Sequence, residues 1–327
     1  MATAASDRAA AAPWRGVVAL AARHRVAAVI TFLLIFPWLM PYHALAINIL
    51  VLGLYAVGFN LLFGYTGLLS FGHAAFLGAG AYGCGIAIVH LSLPWYAAIG
   101  LGVVLATALA ILMGWLAIRT RGIYFSMVTL ALSQCAYYVF YQAERWTGGE
   151  NGLRGINVST ISLAGWPLDF RDPTTKYYMI LAFVALALWL FSRILASPFG
   201  AVLEAIRENE GRAAACGYDV ARTKLAAFVL SGAFCGLAGA LKALHLSIVP
   251  IETLHYLTSG QVVMMALLGG MGTFFGPFVG AAAFLLLEDV LTVLTTHWQL
   301  ALGVVFIVFV LFFPKGIWGS LLDGLRR

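Results

Sequence analysis

The chain has 327 residues, of which 62% are hydrophobic and only 10% carry a charge, and its mean hydropathy is +0.95. An ordinary soluble domain has about 25% charged residues, so this composition excludes a water-soluble particle of this size. Lipid-exposed backbone must satisfy its own hydrogen bonds, and the apolar runs here are continuous and not alternating, so we expect an all-α polytopic membrane protein. The net charge of +6 does not indicate nucleic-acid binding, because the basic residues follow the membrane topology described below.

The first apolar stretch is long enough for several spans. No Asp, Glu, Lys or Arg stands between Arg25 and Arg119, a stretch of 93 residues. A membrane-spanning helix needs about 20 residues, so this stretch predicts four spans. Later apolar runs predict four more, which gives about eight full spans near residues 26–41, 46–64, 71–91, 95–118, 124–142, 177–191, 225–247 and 300–313.

The first of these runs has a second interpretation. Basic residues, an apolar run and then Ala44-Leu45-Ala46 are also typical of a cleaved signal peptide. Cleavage there would leave a new N-terminus inside an apolar segment, without the usual polar stretch. We therefore interpret the run as a retained span.

The basic residues fall mainly on one side of the predicted spans. Of the 19 Lys and Arg residues, 14 lie on the side of the N-terminus and 5 on the other, whereas the acidic residues divide 6 to 7. Loops rich in Lys and Arg stay in the cytoplasm, so both termini are predicted to be cytoplasmic. The expected organisation is a cytoplasmic tail (1–25), a transmembrane domain (26–313) and a cytoplasmic C-terminal tail (314–327). Within the transmembrane domain we expect a periplasmic loop near 143–176 and a cytoplasmic loop near 193–224.

One apolar segment, residues 261–287, does not fit an ordinary span. The chain is predicted to lie outside both before and after it, so the segment must enter the membrane and return on the same side. Its centre holds a cluster of residues that does not sustain one straight helix: Gly269, Gly270, Gly272, Thr273 and Gly276. Irregular backbone at membrane depth is tolerated only inside protein or beside water. We therefore expect two re-entrant half-helices that meet at a glycine-rich bend beside the translocation path.

A second glycine-rich segment is similar to the first. Both read Gly, two residues, a hydroxyl residue, Phe and then Gly, although the alignment needs gaps. Paired interrupted segments in the two halves of a transporter indicate its binding path. The alternative is that the glycines only allow close helix packing, as the four-residue spacing of Gly232 and Gly236 does, and that a polar residue in a span joins helices. The candidates for the path in this region are Asn60, Gly67, Ser70, Gly72 and His73.

The sequence gives little support for catalysis. It has no His-Glu-x-x-His motif, no Gly-x-Ser-x-Gly elbow and no carboxylate pair inside a span. Its four cysteines stand singly, which predicts neither disulfides nor a metal site. It has no Gly-x-x-x-x-Gly-Lys-Ser/Thr loop for ATP, and the first four spans hold no acidic or basic residue other than histidine. We expect no catalytic site, metal or cofactor on this chain, and an energy source elsewhere.

The loop between the sixth and seventh spans contains a short predicted helix. Ser197-Pro198 is typical of a helix start with Pro in the first turn, and the helix is expected to run to about Asn209. A second, alanine-rich turn ends at Gly217, which is typical of a left-handed C-cap. The alternative is a merely solvated loop.

Four segments together resemble the permease subunits of branched-chain amino-acid ABC importers, of the LivM-like and not the LivH-like type. They are residues 59–79, 147–153, 197–217 and 268–280. The resemblance implies the ABC importer permease fold, with 197–217 as the loop that docks on the ATPase. The usual Glu-Ala-Ala…Gly signature is degenerate here, so the resemblance carries over the role of the loop and not each contact. The implied coupling residues are Glu204, Ala205, Arg207, Glu208, Asn209 and Gly217, and Arg207 and Glu208 are expected to face the ATPase.

The resemblance also implies partners and a location. They are a homologous LivH-like permease, two cytoplasmic ABC ATPases that bind ATP and Mg, and a periplasmic binding protein, all at a bacterial inner membrane. In such systems the binding protein sets most of the specificity, so leucine, isoleucine or valine, another amino acid, and urea all stay open. A passive channel is a further alternative, but it would not need a docking loop.

Overall fold

The computed structural model describes residues 33–34, 36–38, 42–156, 160–163, 166–170, 172–313 and 316–320. The predicted N-terminal tail (1–25) lies outside these residues, as does the predicted first span (26–41) except for the helical residues 33–34 and 36–38. Most of the predicted C-terminal tail also lies outside them.

The described chain is mainly helical. In chain order the helices are α1 (His43–Thr66), α2 (His73–Val89), α3 (Trp95–Ala117), α4 (Ile123–Gln142), α5 (Pro173–Leu195), α6 (Pro198–Glu208), α7 (Glu210–Ala215), α8 (Val220–Leu246), α9 (Tyr256–Gly269), α10 (Gly276–Leu294) and α11 (Trp298–Phe312). Short elements join some of them: a helical turn (Glu144–Thr147), two 3-10 turns (Gly149–Asn151 and Ile251–Leu254) and the strands β1 (Leu153–Arg154), β2 (Thr160–Leu163), β3 (Trp166–Asp169) and β4 (Ile248–Val249).

Seven segments of the described chain are long and apolar enough to cross a membrane. They are α1, α3, α4, α5, α8, α10 and the segment Trp298–Ser320, which begins with α11. The helices α2 and α9 are apolar but shorter. The prediction of an all-α polytopic membrane protein is confirmed.

Helices α1, α2 and α8 form the centre of the bundle. Nearly all of α1 is buried, and α8 packs against α1, α2 and α3. A helix that is apolar all round belongs inside a bundle, and small residues let such helices approach closely. A Cβ atom added at Gly239 of α8 would lie 1.8 Å from the carbonyl oxygen of Leu77 in α2. In the same helix, a Cβ added at Gly232 would lie 2.4 Å from the Cβ of Ala110, and one added at Gly236 would lie 2.3 Å from the Cβ of Ala106, both in α3. The packing interpretation of these two four-spaced glycines is confirmed.

The segment around residues 261–287 is a helical hairpin. A Cβ added at Gly269 would lie 1.8 Å from the oxygen of Gly276, and one added at Gly280 would lie 1.8 Å from the oxygen of Met265, so α9 and α10 run antiparallel in close contact. The predicted break lies between them, at residues 270–275. Two half-helices were expected, however, and α10 has 19 residues, enough to cross a membrane by itself.

Loops at one end of the bundle are joined by backbone pairing. Strand β1 pairs antiparallel with β4, Leu153 opposite Val249, so the long loop after α4 is fixed to the turn after α8. The same loop forms the β2–β3 hairpin and ends at Asp172, which caps α5. Hydrogen bonds from Thr175 lower the pKa of the Asp172 carboxyl.

Candidate functional site

Both predicted glycine-rich segments are breaks between helices at the end of the bundle opposite β1 and β4. In each, six residues separate two helices: 67–72 between α1 and α2, and 270–275 between α9 and α10. Each break begins with a glycine at positive φ, 78° at Gly67 and 111° at Gly270, where a side chain would strain the backbone. We call these segments break one and break two. Their equal lengths and shared first residue agree with the similarity between the two sequences.

Asn60 in α1 holds break two in place. Its Nδ2 donates to the carbonyl of Thr273 at 3.0 Å, and its Oδ1 accepts from the backbone N–H of Gly272 at 3.0 Å. The side chain has no exposed surface. One amide therefore satisfies a donor and an acceptor that the break would otherwise leave unpaired inside the bundle. The sequence predicted Asn60 as a path residue or as a joint between helices, and its contacts are those of a joint.

Break two is also stabilised by hydrogen bonds of one of its own side chains. The Thr273 hydroxyl donates to the carbonyl of Gly270 at 2.8 Å and accepts from the N–H of Gly276 at 3.0 Å. Gly276 is the first residue of α10, so Thr273 caps this helix from inside the break. The two predicted residues Thr273 and Gly276 thus act together.

Break one is held by hydroxyl groups of α4. The Ser126 hydroxyl donates to the carbonyl of Leu69 at 2.6 Å, and the Thr129 hydroxyl accepts from the N–H of Phe71 at 3.2 Å. Inside the break, Ser70 accepts from the N–H of Gly72 at 3.2 Å. These bonds satisfy backbone groups that no helix pairs.

His73 lies at the start of α2 and is fully buried. Its Nε2 is 2.8 Å from the Ser231 hydroxyl, which donates its own proton to the carbonyl of Gly58 at 2.6 Å. A hydroxyl has one proton, so Nε2 is the donor to Ser231 and the ring joins α2, α8 and α1. The start of α2 is also capped by α9, since the N–H of Ala74 donates to Ser259 at 2.8 Å. His73 thus connects helices, and it does not contact break two.

The predicted coupling loop forms α6 and α7. Helix α6 starts after Ser197 and ends before Asn209, as the sequence predicted, and Gly217 has a φ of 90°. The helix is amphipathic: Gly200, Leu203 and Ile206 are buried, while Glu204, Ala205 and Glu208 are exposed. Its buried side packs on α1, α5 and α8. Asn209 caps α7 by accepting from the N–H of Arg212 at 2.9 Å.

Arg207 connects α6 to both breaks. Its Nη1 donates to the carbonyl of Gly64 in the last turn of α1, and its Cγ lies 3.2 Å from the position of a Cβ on Gly67. On its other side, a Cβ on Gly272 would lie 2.7 Å from Nη1. The side chain was expected to face an ATPase, and this contact with the membrane domain was not anticipated. No signal in the sequence indicated it, because Arg207 and Gly64 are 143 positions apart.

An ion-pair cluster joins α7 to the start of α8 and to the segment before α4. Glu210 is 2.7 Å from Lys224 at the start of α8 and 3.9 Å from Arg121 before α4. Together with α6, break one and the start of α4, these residues line a cavity of about 490 Å³. In the sequence these three charges indicate only the membrane topology, because Arg121, Glu210 and Lys224 are not close to one another along the chain.

The predicted path residues thus fall into three groups. Gly67 and Gly272 lie beside Arg207, and Asn60 binds Gly272 and Thr273. His73 lies apart from them, against Ser231. Gly269 and Gly276 pack the α9–α10 hairpin.

Comparison with known proteins gives one family match over most of the chain. Residues 41–313 match the family model for the permease component of branched-chain amino acid transport systems. This range includes both breaks and the helices α6 and α7. No solved structure matches the chain.

Individual relatives agree with this match. The chain is 28% identical over 287 residues to the high-affinity branched-chain amino acid transport system permease protein LivM of Escherichia coli K12, covering 82% of this chain and 67% of the relative. It is 23% identical over 308 residues to the probable permease protein LivM of Methanocaldococcus jannaschii, covering 82% and 87%. The probable permease protein LivH of the same archaeon is 28% identical over 123 residues, 36% of either chain.

Proposed function

Because the chain belongs to the family of permease components of branched-chain amino acid transport systems, we propose that it forms, with a second homologous permease, the membrane path of an ATP-driven importer. The chain is a transport subunit, and its substrates are branched-chain amino acids. The similarity to LivH over part of the chain supports a homologous partner. Urea, the alternative solute, is not favoured by the relatives.

The rest of the assembly is part of the same proposal. Two ABC ATPases on separate chains bind ATP and Mg and dock on the cytoplasmic side. A binding protein delivers the amino acid from the outer side of an inner membrane in which both termini are cytoplasmic. The distribution of Lys and Arg supports this orientation.

One observation carries the proposal of ATPase docking. Helix α6 presents Glu204, Ala205 and Glu208 outward, while its other face is buried against three membrane helices. In addition, the Arg207 side chain of α6 contacts the last turn of α1 and both breaks. A merely solvated loop would need neither feature. A partner that pulls on α6 would move Arg207 and, through it, the backbone of the membrane domain.

The test reverses the outward charges and leaves Arg207 in place. In Glu204→Arg with Glu208→Arg, we expect the ATPases to be lost from the complex purified in mild detergent, and leucine uptake with them. Both side chains are exposed, and exposed charges contribute less than about 1 kcal/mol to stability, so the permease itself should still insert and fold. The matched control is Glu144→Arg with Glu150→Arg, which reverses two exposed charges in the long loop after α4.

The outcome separates docking from a general charge effect. We expect the control to keep both the ATPases and uptake. If the α6 variant binds the ATPases as well as the parent does, α6 is not their docking site. If the parent itself takes up urea but no leucine, isoleucine or valine, the proposed substrate is wrong.

A further inference from the structure

We propose that one face of α4 lines the translocation path and contacts the amino acid during passage. The inference rests on the proposed function, because it assigns the path of that importer to particular side chains. The face consists of Ser126, Leu130, Ser133, Gln134, Tyr137 and Tyr141, and we call it the α4 stripe.

The spacing of its members places the α4 stripe on one side of the helix. Relative to Ser126, the other members stand 4, 7, 8, 11 and 15 positions along α4, and such positions share one side of a helix. From Ser126 to Tyr141 the stripe is about 22 Å long at about 1.5 Å per residue. The hydrocarbon core of a bilayer is about 30 Å thick, so the stripe crosses most of it.

Most of the surface of α4 is not covered by this chain. Only 22% of its apolar window is buried, against 89% for α1 and 67% for α8. The opposite side of α4 suits lipid, since Val139 there is 67% exposed. The stripe does not suit lipid, because polar residues inside a membrane face protein or a water-filled cavity.

Two polar groups in the middle of the stripe lack partners. Ser133 Oγ and Gln134 Nε2 are buried atoms with no hydrogen bond within the part of the chain that the structure describes. A buried, unsatisfied polar group costs about 1–3 kcal/mol, so these two groups need water or another polar partner. Water or a polar solute in a path would meet this need.

Both ends of the stripe connect to the rest of the transport machinery. At one end the Tyr137 and Tyr141 rings stack with centroids 6.0 Å apart, and the His255 ring before α9 lies 5.6 Å from Tyr137. At the other end Ser126 donates to the carbonyl of Leu69 in break one, and both residues line the 490 Å³ cavity beside α6. The stripe therefore runs from the outer loops to the coupling helix.

The chemistry of the stripe fits the passage of a branched-chain amino acid. Helix α4 contains no Asp, Glu, Lys or Arg. Hydroxyl and amide groups can replace part of the hydration shell of an ammonium and a carboxylate, and Leu130 and the tyrosine rings offer apolar contact to an aliphatic side chain. A site without full charges holds a zwitterion weakly, and a solute that must leave again requires weak binding.

The chain provides a matched pair of positions for a test. Gln134 lies in the stripe, and its neighbour Cys135 is exposed at the same depth on another side of α4. The starting importer keeps the buried Cys84 and Cys235 and carries Cys135→Ser and Cys216→Ser, since these two cysteines are exposed. One variant adds Gln134→Cys, and the other restores Cys135.

Both variants, assembled with the partner permease and ATPases in membranes, are treated with a small, water-soluble methanethiosulfonate. The reactive form of cysteine is the thiolate, which needs water. We expect modification at position 134 to be at least tenfold faster than at position 135. In a separate variant, Gln134→Leu, we expect leucine uptake to fall at least tenfold while the partner permease and ATPases still co-purify. Cys135→Leu is its control and should keep uptake within twofold of the parent.

Three outcomes would overturn the proposal. Equal or faster modification at position 135 would show that the stripe is no more accessible to water than another side of α4. Loss of the partner permease in Gln134→Leu would show that the stripe is a packing surface for a partner helix. Normal uptake in Gln134→Leu would show that the amide does not serve passage. A parent chain that binds no ATPase would refute the proposed importer instead, and the labelling ratio would still report on the stripe.

Discussion

Asn60 offers the sharpest test of how the helix breaks are stabilised. The change Asn60→Leu keeps the branching of the side chain and removes two hydrogen bonds, to the carbonyl of Thr273 and from the N–H of Gly272, each 3.0 Å long. Each buried backbone group that loses its partner costs about 1–3 kcal/mol, so the pair gives about 2–6 kcal/mol. Hydrogen bonds between membrane helices average only about 0.6 kcal/mol, which favours the low end. We therefore expect a loss of about 2 kcal/mol, a factor of about 30 in the ratio of folded to unfolded protein.

The measurement is unfolding of the purified permease in mixtures of SDS and dodecylmaltoside, followed by tryptophan fluorescence. The control is Thr66→Val, six positions further along the chain, because Thr66 is also buried but its hydroxyl donates to Leu61 of its own helix at 3.1 Å. Loss of the Thr66 hydroxyl removes no hydrogen bond to another element of the fold.

The comparison between these two variants decides the question. If Asn60→Leu destabilises the protein no more than Thr66→Val, the amide does not hold break two. The hydrogen bonds between α1 and the break would then be incidental to packing. Leucine uptake measured on the same variants would show whether the position of the break also matters for transport.

Three further predictions concern the breaks, the coupling contact and the orientation. Gly270→Leu should abolish uptake even where the protein reaches the membrane, because a side chain at a φ of 111° strains the backbone; normal uptake would show that break two tolerates other conformations. Arg207→Met should leave the ATPases bound but reduce the uptake per ATP hydrolysed, and Arg207→Lys should restore part of this uptake. Arg212→Met on the neighbouring α7 should change neither ATPase binding nor the uptake per ATP. Equal coupling in all three variants would contradict a role for the Gly64 contact. A cysteine placed at Glu208 should be protected from an impermeant thiol reagent on intact cells and one placed at Asn151 should react, since Lys and Arg are concentrated on the predicted inner side; the reverse pattern would invert the topology.

Local features of the fold could be predicted from the sequence. The bounds of α6 follow from Ser197-Pro198 and Asn209, since Pro starts a helix and Asn caps the next one. The break before Gly276 follows from clustered glycines and a proline, which do not sustain a helix. These signals act between residues that are close in sequence, so they do not depend on tertiary packing.

The length of α10 could not be predicted in the same way. Two acidic residues, Glu288 and Asp289, lie inside α10, which continues to Leu294. The structure shows why a charge is tolerated there: Asp289 is exposed and accepts a hydrogen bond from the Tyr42 hydroxyl at 2.6 Å. A partner 247 positions away leaves no local signal.

The roles of the polar residues were the least predictable part of the site. Asn60, His73 and Gln134 are all uncharged polar residues within apolar helices, and the sequence alone treats them alike. The structure separates them by which side of the helix each occupies. Asn60 faces break two and His73 faces Ser231 of α8, so both side chains bind other elements of this chain. Gln134 instead has a buried amide nitrogen without a partner in the described chain. The rotational position of each helix decides these roles, and it depends on packing that hydropathy does not encode.

The contacts of α6 indicate how ATPase motion would reach the α4 stripe. Arg207 binds the last turn of α1, and break one begins three residues after Gly64. The carbonyl of Leu69 in that break is held by Ser126, the member of the stripe nearest the cavity. Two hydrogen bonds and five residues of backbone therefore separate the coupling helix from the proposed path. This segment gives a displacement of α6 a direct route to Ser126, and for this reason we expect the variants at Arg207 to alter coupling without altering assembly.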